Sequence, residues 1–185
     1  LKRAVVQRVD VPVLQNCTTL QRAGAAFVGT CSGFFQATAT AQRAHAGVFR
    51  LDPSTGKASV VLEAAAIGGV VGFPIAQDGD ARGWVVRLGR LSAPARPDEV
   101  WQYDPTGNAK PVHVWSGSRA FTIGGLWYDA SSQRLWLSDA ADAKGDLVIL
   151  DVADRSGGGV GRAPVVARIR VQSGGLPAVH LARVG

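Results

Sequence analysis

GGLWYDASSQRLWLSDAADAKGDLVILDV, residues 124–152, holds three short runs of Leu, Trp, Tyr, Val and Ile, each closed by an aspartate. Runs of about six residues rich in β-branched and aromatic side chains, bounded by turn formers, read as strands. A fourth run, VVARIRV from Val165, follows a glycine-rich connection. The four strands expected here are GLWYDA from Gly125, RLWLSD from Arg134, DLVILDV from Asp146 and VVARIRV.

The same layout occurs twice more upstream. VVGFPIA from Val70, GWVVRLG from Gly83, EVWQYD from Glu99 and PVHVW from Pro111 form one set. CTTLQR from Cys17, AFVGTCSG from Ala26, GVFRLD from Gly47 and SVVLEA from Ser59 form the other. In each set a strand ends in Asp (Asp52, Asp104, Asp151), a polar turn follows, and the aspartates are 52 and 47 residues apart. Paired glycines open the sets at IGGV (Ile67) and IGGL (Ile123), with SGGL (Ser173) marking a further start. Trp84 and Trp136 fall on equivalent second strands, and Trp101 matches Phe49 on third strands. Four-stranded units of about 50 residues are the mark of β-propeller blades.

The expected fold is therefore all-β, a β-propeller segment of three four-stranded blades at 13–66, 67–119 and 120–172. A single strand flanks it on each side, in 1–12 and in 173–185. Residues 5–11, VVQRVDV, share four of seven positions with 165–171, which makes them the last strand of a preceding blade. GGLPAVHLARV from Gly174 becomes the first strand of a following one. The chain starts at Leu1 and has no methionine, which suggests a piece of something longer. Six blades of this size would need roughly 320 residues, so the remaining blades, or a partner fragment or subunit, are expected to complete the ring.

The chain resembles bacterial propellers of the NHL, YVTN and SMP-30/gluconolactonase-like type. GGLWYDASSQRLWLSDA with LVILDV, VFRLDPSTGK and VWQYDPTGN carry the resemblance, which covers nearly the whole chain. These are turn and strand markers, so the resemblance implies a fold rather than an activity. The WD40 pairs and the kelch glycines are absent. For SMP-30-like enzymes the resemblance would imply a divalent metal held by Glu, Asn and Asp at the channel mouth. Here the glutamates are only Glu63 and Glu99, at outer or edge positions, and the asparagines only Asn16 and Asn108, so no catalytic residue is carried over.

Composition excludes other classes. Charged residues make up 18% and hydrophobic ones 46% of 185 residues, a globular balance. No apolar run approaches the length of about 18 residues that suggests a membrane-spanning helix. The net charge of +6 comes from 16 Arg and four Lys against 14 acids, but the arginines are scattered singly, not in the block that suits nucleic acid.

Cys17 and Cys31 are the only cysteines and lie seven residues either side of Gly24, so a hairpin turning there sets them opposite each other for a disulfide, with two buried free thiols as the alternative. That pairing points to an oxidising compartment, periplasmic or extracellular. His180 falls on an inner strand, where alternate side chains can face a central channel. Asp78 and Asp80 share one turn, and Asp139, Asp142 and Asp146 share one loop; such carboxylates can hold Ca²⁺ or simply form turns, and no cofactor is otherwise expected. No HExxH, GxSxG, P-loop or zinc spacing occurs. Trp115 and Tyr103 are candidate sugar-stacking rings. The reading that follows is a non-catalytic binding or scaffolding module with a protein or glycan ligand. A channel-sited enzyme of SMP-30-like or lyase type and a glycan-binding lectin stand as alternatives.

Overall fold

The computed structural model describes residues 9–141, 145–153 and 162–172. It is all-β, with three four-stranded antiparallel sheets in the positions the repeats mark out. Sheet 1 is β1 (Cys17–Ala23), β2 (Ala26–Ser32), β3 (Ala46–Asp52) and β4 (Lys57–Glu63); sheet 2 is β5 (Val71–Asp78), β6 (Arg82–Arg87), β7 (Glu99–Tyr103) and β8 (Val112–Ser116). Sheet 3 is β9 (Ile123–Asp129), β10 (Arg134–Asp139), β11 (Gly145–Asp151) and β12 (Val165–Gln172). Each sheet is a meander in which neighbours in sequence are neighbours in space. Two additions were not expected: helix α1 (Ala39–Ala44) in the β2–β3 connection, and a 3-10 turn at Ala64–Ile67 before β5.

The repeated aspartates have a local cause. Asp52 accepts from the Ser54 amide at 2.8 Å, Asp104 from Thr106 at 2.7 Å, and Asp151 from Ala153 at 3.0 Å. A carboxylate that bonds the backbone two residues on turns the chain after the third strand. The paired glycines differ between units. Gly68 ends the 3-10 turn at φ +68°, where a side chain would be strained, whereas Gly124 and Gly125 lie within β9.

Register shows that the sheets stack in one sense. Val28 pairs with Arg50, Trp84 with Gln102 and Trp136 with Ile149, in each case two residues before the repeated aspartate. These three positions are equivalent, and in a strand neighbouring residues point to opposite faces. Val28 and Val48 of sheet 1 pack on Val85 and Tyr103 of sheet 2. One step along, Trp84, Val86 and Val100 of sheet 2 pack on Leu135, Leu137, Val148 and Leu150 of sheet 3. Trp84 is wholly buried and stacks on Tyr128 at 4.6 Å. Trp136 occupies the same position on sheet 3, facing away from sheet 2, where its ring lies 6.1 Å from Trp127.

Cys17 and Cys31 form a disulfide. The way they meet differs from a symmetric hairpin about Gly24. Ala23 pairs with Ala26, so the turn is Gly24–Ala25, and continued regularly that register would set Cys17 against Ser32. An irregularity between Cys17 and Thr19 shifts it by one and brings Cys17 opposite Cys31. Of the flanking strands, residues 5–8 and 173–185 lie outside the described residues, and residues 9–11 are not in a strand. The segment 9–16 instead lies on the free face of sheet 1, with Leu14 and Val11 against Cys31 and Phe49.

With 14 residues separating the cysteines, the chain-entropy model credits the cross-link with about 3 kcal/mol. The double substitution Cys17→Ser/Cys31→Ser is expected to lower Tm by about 6–12 °C for a chain of this size. Circular dichroism melting checks this, and a reducing agent should shift the unsubstituted protein by a similar amount.

Candidate functional site

The turns of a meander alternate between its two edges. The β1–β2 and β3–β4 turns therefore lie on one edge of sheet 1, while the β2–β3 connection and the link from β4 to β5 lie on the other. The second edge carries the longer loops. There Phe34, Ala39, Gln42 and Arg43 from β2–β3, Gly68–Val70 before β5, Arg87–Arg90 and Arg96 around β6–β7, and Phe121 before β9 enclose a cavity of about 400 Å³. Thr38 caps α1 by accepting from the Ala41 amide at 3.1 Å, which places Gln42 and Arg43 at the cavity wall.

Asp98 holds this edge together. It is fully buried and accepts four backbone N–H bonds: Gly89 at 2.7 Å and Phe121 at 2.9 Å on Oδ1, Thr122 at 2.8 Å and Ile123 at 3.1 Å on Oδ2. One carboxylate thereby ties the β6–β7 loop to the β8–β9 loop. Phe121 sits at φ +59°, a region a bulky residue rarely adopts, and the Asp98 bond to its amide keeps it there. Beneath the cavity, Arg87 makes a two-pronged pair with Glu99 at 2.6 and 2.8 Å, and Glu99 also accepts from Trp101 Nε1 at 2.9 Å. Burial pushes the Glu99 carboxyl up, but the bonds from Arg87 and Trp101 and the Arg87 charge outweigh it and hold it below its usual 4.5.

The residues singled out from the sequence fall elsewhere. Asp80 pairs with Arg50 at 2.8 Å, tying the β5–β6 turn to sheet 1. Asp78 pairs with Arg82 at 2.9 Å, and Arg82 also donates to Val152 O at 2.8 Å and to the Tyr128 hydroxyl at 3.0 Å, tying sheet 2 to sheet 3. Asp139 is buried and accepts from the Ala141 amide at 3.0 Å; burial pushes its carboxyl above 3.8 against that bond and one from the Thr122 side chain. Asp146 pairs with Arg170 at 3.0 Å. These carboxylates act as turn formers and inter-strand ties, and among the described residues no three His, Cys, Asp or Glu gather as a metal site would require. Asp142 and His180 lie outside the described residues. His113 is half-buried and hydrogen-bonds Ser116 Oγ at 3.0 Å.

Two sugar-stacking candidates are corrected. Trp115 and Tyr103 are 6% and 2% exposed, too covered for a ring to stack on them. Each faces a neighbouring sheet, which short-range sequence pattern cannot reveal. The arginines of the cavity were missed because only Arg87, Arg90 and Arg96 are near in sequence, and Arg43 joins them through the fold. No protein-family model matches the chain, and no curated protein matches it.

Asp98→Ala leaves four amides without their acceptor, and an unsatisfied buried group costs about 1–3 kcal/mol. A loss of at least about 3 kcal/mol in urea unfolding is expected. Glu99 has a depressed folded pKa, so it contributes stability above its unfolded value and loses that contribution as pH falls through the folded one. The stability gap between the unsubstituted protein and Glu99→Gln should narrow as pH is lowered from about 6 to about 3, read by denaturant titrations at each pH.

Proposed function

We propose that the chain is a non-catalytic binding module of β-propeller type, working in an exported protein and presenting its ligand site on the loop edge of sheets 1 and 2. One observation carries this reading. Among the described residues the cavity wall contains Phe, Ala, Gln, Arg, Gly, Val and Leu, and none of the side chains that act as nucleophile or general acid and base near neutral pH. Arginine stays protonated and moves no proton. A pocket so lined is suited to holding a molecule rather than to moving protons on it.

The disulfide is compatible with an oxidising location outside the cytoplasm, and periplasmic or extracellular residence is our reading of it. No described helix is long and apolar enough to cross a membrane. For partners, the supporting feature is the regular stacking of like faces. A sheet face equivalent to those buried in sheets 1 and 2 carries Trp127, Trp136, Ile169 and Val171 on sheet 3, with the last two 44% and 54% exposed. Rings of such sheets close with about four to eight blades, so we infer that further blades, of the same polypeptide or of a partner, stack there.

The purified protein supplied with Ca²⁺, Zn²⁺ or Mn²⁺ is expected to leave lactones unhydrolysed. Turnover that disappears on Asp139→Asn, measured by pH-stat, would overturn the non-catalytic reading in favour of a channel-sited enzyme.

A further inference from the structure

The cavity's charge and shape identify a ligand class, an inference that rests on the loop edge being a binding surface. We infer that the pocket bounded by Arg43, Arg90, Arg96, Phe34 and Phe121 takes an oxyanion joined to a flat apolar ring, such as an aryl phosphate or aryl carboxylate.

Four arginines are among the described residues that line the cavity, and the nearest carboxylates, Glu99 and Asp98, lie behind its wall, bonded to Arg87 and to the Gly89 and Phe121 amides. Arg87 is neutralised by Glu99. The Arg90 side chain donates to a carbonyl, Pro94 O, at 2.8 and 3.2 Å, and has no ion pair among the described residues. Arg43 and Arg96 have no ion pair among the described residues. Like charges converging on a concave wall raise the local potential, and an anion entering there lowers it. The guanidinium fork offers paired donors that match the oxygens of a phosphate or carboxylate.

The ring requirement comes from size and from the phenylalanines. A cavity of about 400 Å³ lies in the range of small-molecule sites, about 300–1,000 Å³, and is larger than a bare phosphate fills. Phe34 is braced edge-on by Phe73 at 6.0 Å, so its ring is held in place at the wall. Phe121 is 54% exposed and held in a left-handed conformation, which is unfavourable for a residue with a Cβ. Strain of this kind gathers where a side chain serves a ligand. The floor is tightly packed: a Cβ on Gly69 would meet Arg87 Cδ at 2.9 Å and one on Gly89 would meet Arg96 O at 2.3 Å, so glycine lets these segments approach closely beneath the cavity.

Isothermal titration calorimetry of the full chain at low salt tests this with phenyl phosphate, benzoate, inorganic phosphate and phenyl β-glucoside. At least one of phenyl phosphate and benzoate should bind one to one, and whichever is tighter identifies the head group. Inorganic phosphate should bind at least about tenfold more weakly than phenyl phosphate, and the neutral glucoside not measurably. Arg43→Ala and Arg96→Ala should each weaken the aryl anion about tenfold or more, the scale of a charge-assisted bond. Phe121→Gly relieves the backbone strain, so it should keep Tm while weakening the aryl anion and leaving inorganic phosphate unchanged. Failure of both aryl anions to bind at millimolar concentration, or binding that Arg96→Ala leaves intact, overturns the inference. Binding of the glucoside that is lost in Phe121→Gly overturns the anion assignment while leaving the binding-module reading standing; that reading fails only on turnover.

Discussion

Sheet 2 has no wet face, and the rest of the molecule is arranged around that requirement. Its odd and even positions point to opposite sides, so Val85, Trp101 and Tyr103 must find partners on sheet 1 while Trp84, Val86 and Val100 find theirs on sheet 3. Burial of side chains of this size is worth about 1.5–3 kcal/mol each. The gain is realised only if all three sheets keep one register and one direction of stacking. A slip of one residue in any strand would exchange its two faces. The aspartate that closes each third strand sets the turn and so helps hold that register.

Polar ties secure the stack at its edges. Arg50 with Asp80 joins sheets 1 and 2 at the short-turn edge, and Arg82 with Asp78, Tyr128 and Val152 joins sheets 2 and 3. Asp98 does the same at the opposite edge, through backbone amides instead of side chains. The edges differ in what they leave over. At the short-turn edge Arg50 and Arg82 each meet a carboxylate, whereas at the loop edge Glu99 pairs with Arg87 and Asp98 bonds only backbone amides among the described residues. The ion pairs that help join neighbouring sheets lie at the short-turn edge, whereas the loop edge is held through the Asp98 amide bonds and the Arg87–Glu99 pair.

Strand existence was legible because the signal is local. RLWLSD was read at 134–139 and is β10 to the residue; Cys17 and Cys31 were read as partners and are bonded. The candidate site was scarcely legible. Asp78 and Asp80 have the look of ligand carboxylates until Arg50 and Arg82 arrive from other strands, and Tyr103 reads as a surface ring until sheet 1 covers it.

From sequence alone came the repeat, the twelve strands, the hairpin turns and the disulfide, since each depends on alternation, turn chemistry or spacing within about ten to fifteen neighbouring residues. The tertiary structure alone decided which face of each sheet meets which neighbour. It also decided which arginines meet a carboxylate, and that Asp98 gathers amides from two loops at once. Those outcomes depend on residues such as Arg43 and Phe121, distant in the chain and brought within one cavity by the stacking of sheets 1 and 2. Chain-local pattern carries no information about such meetings, because burial and charge compensation are properties of the assembled neighbourhood.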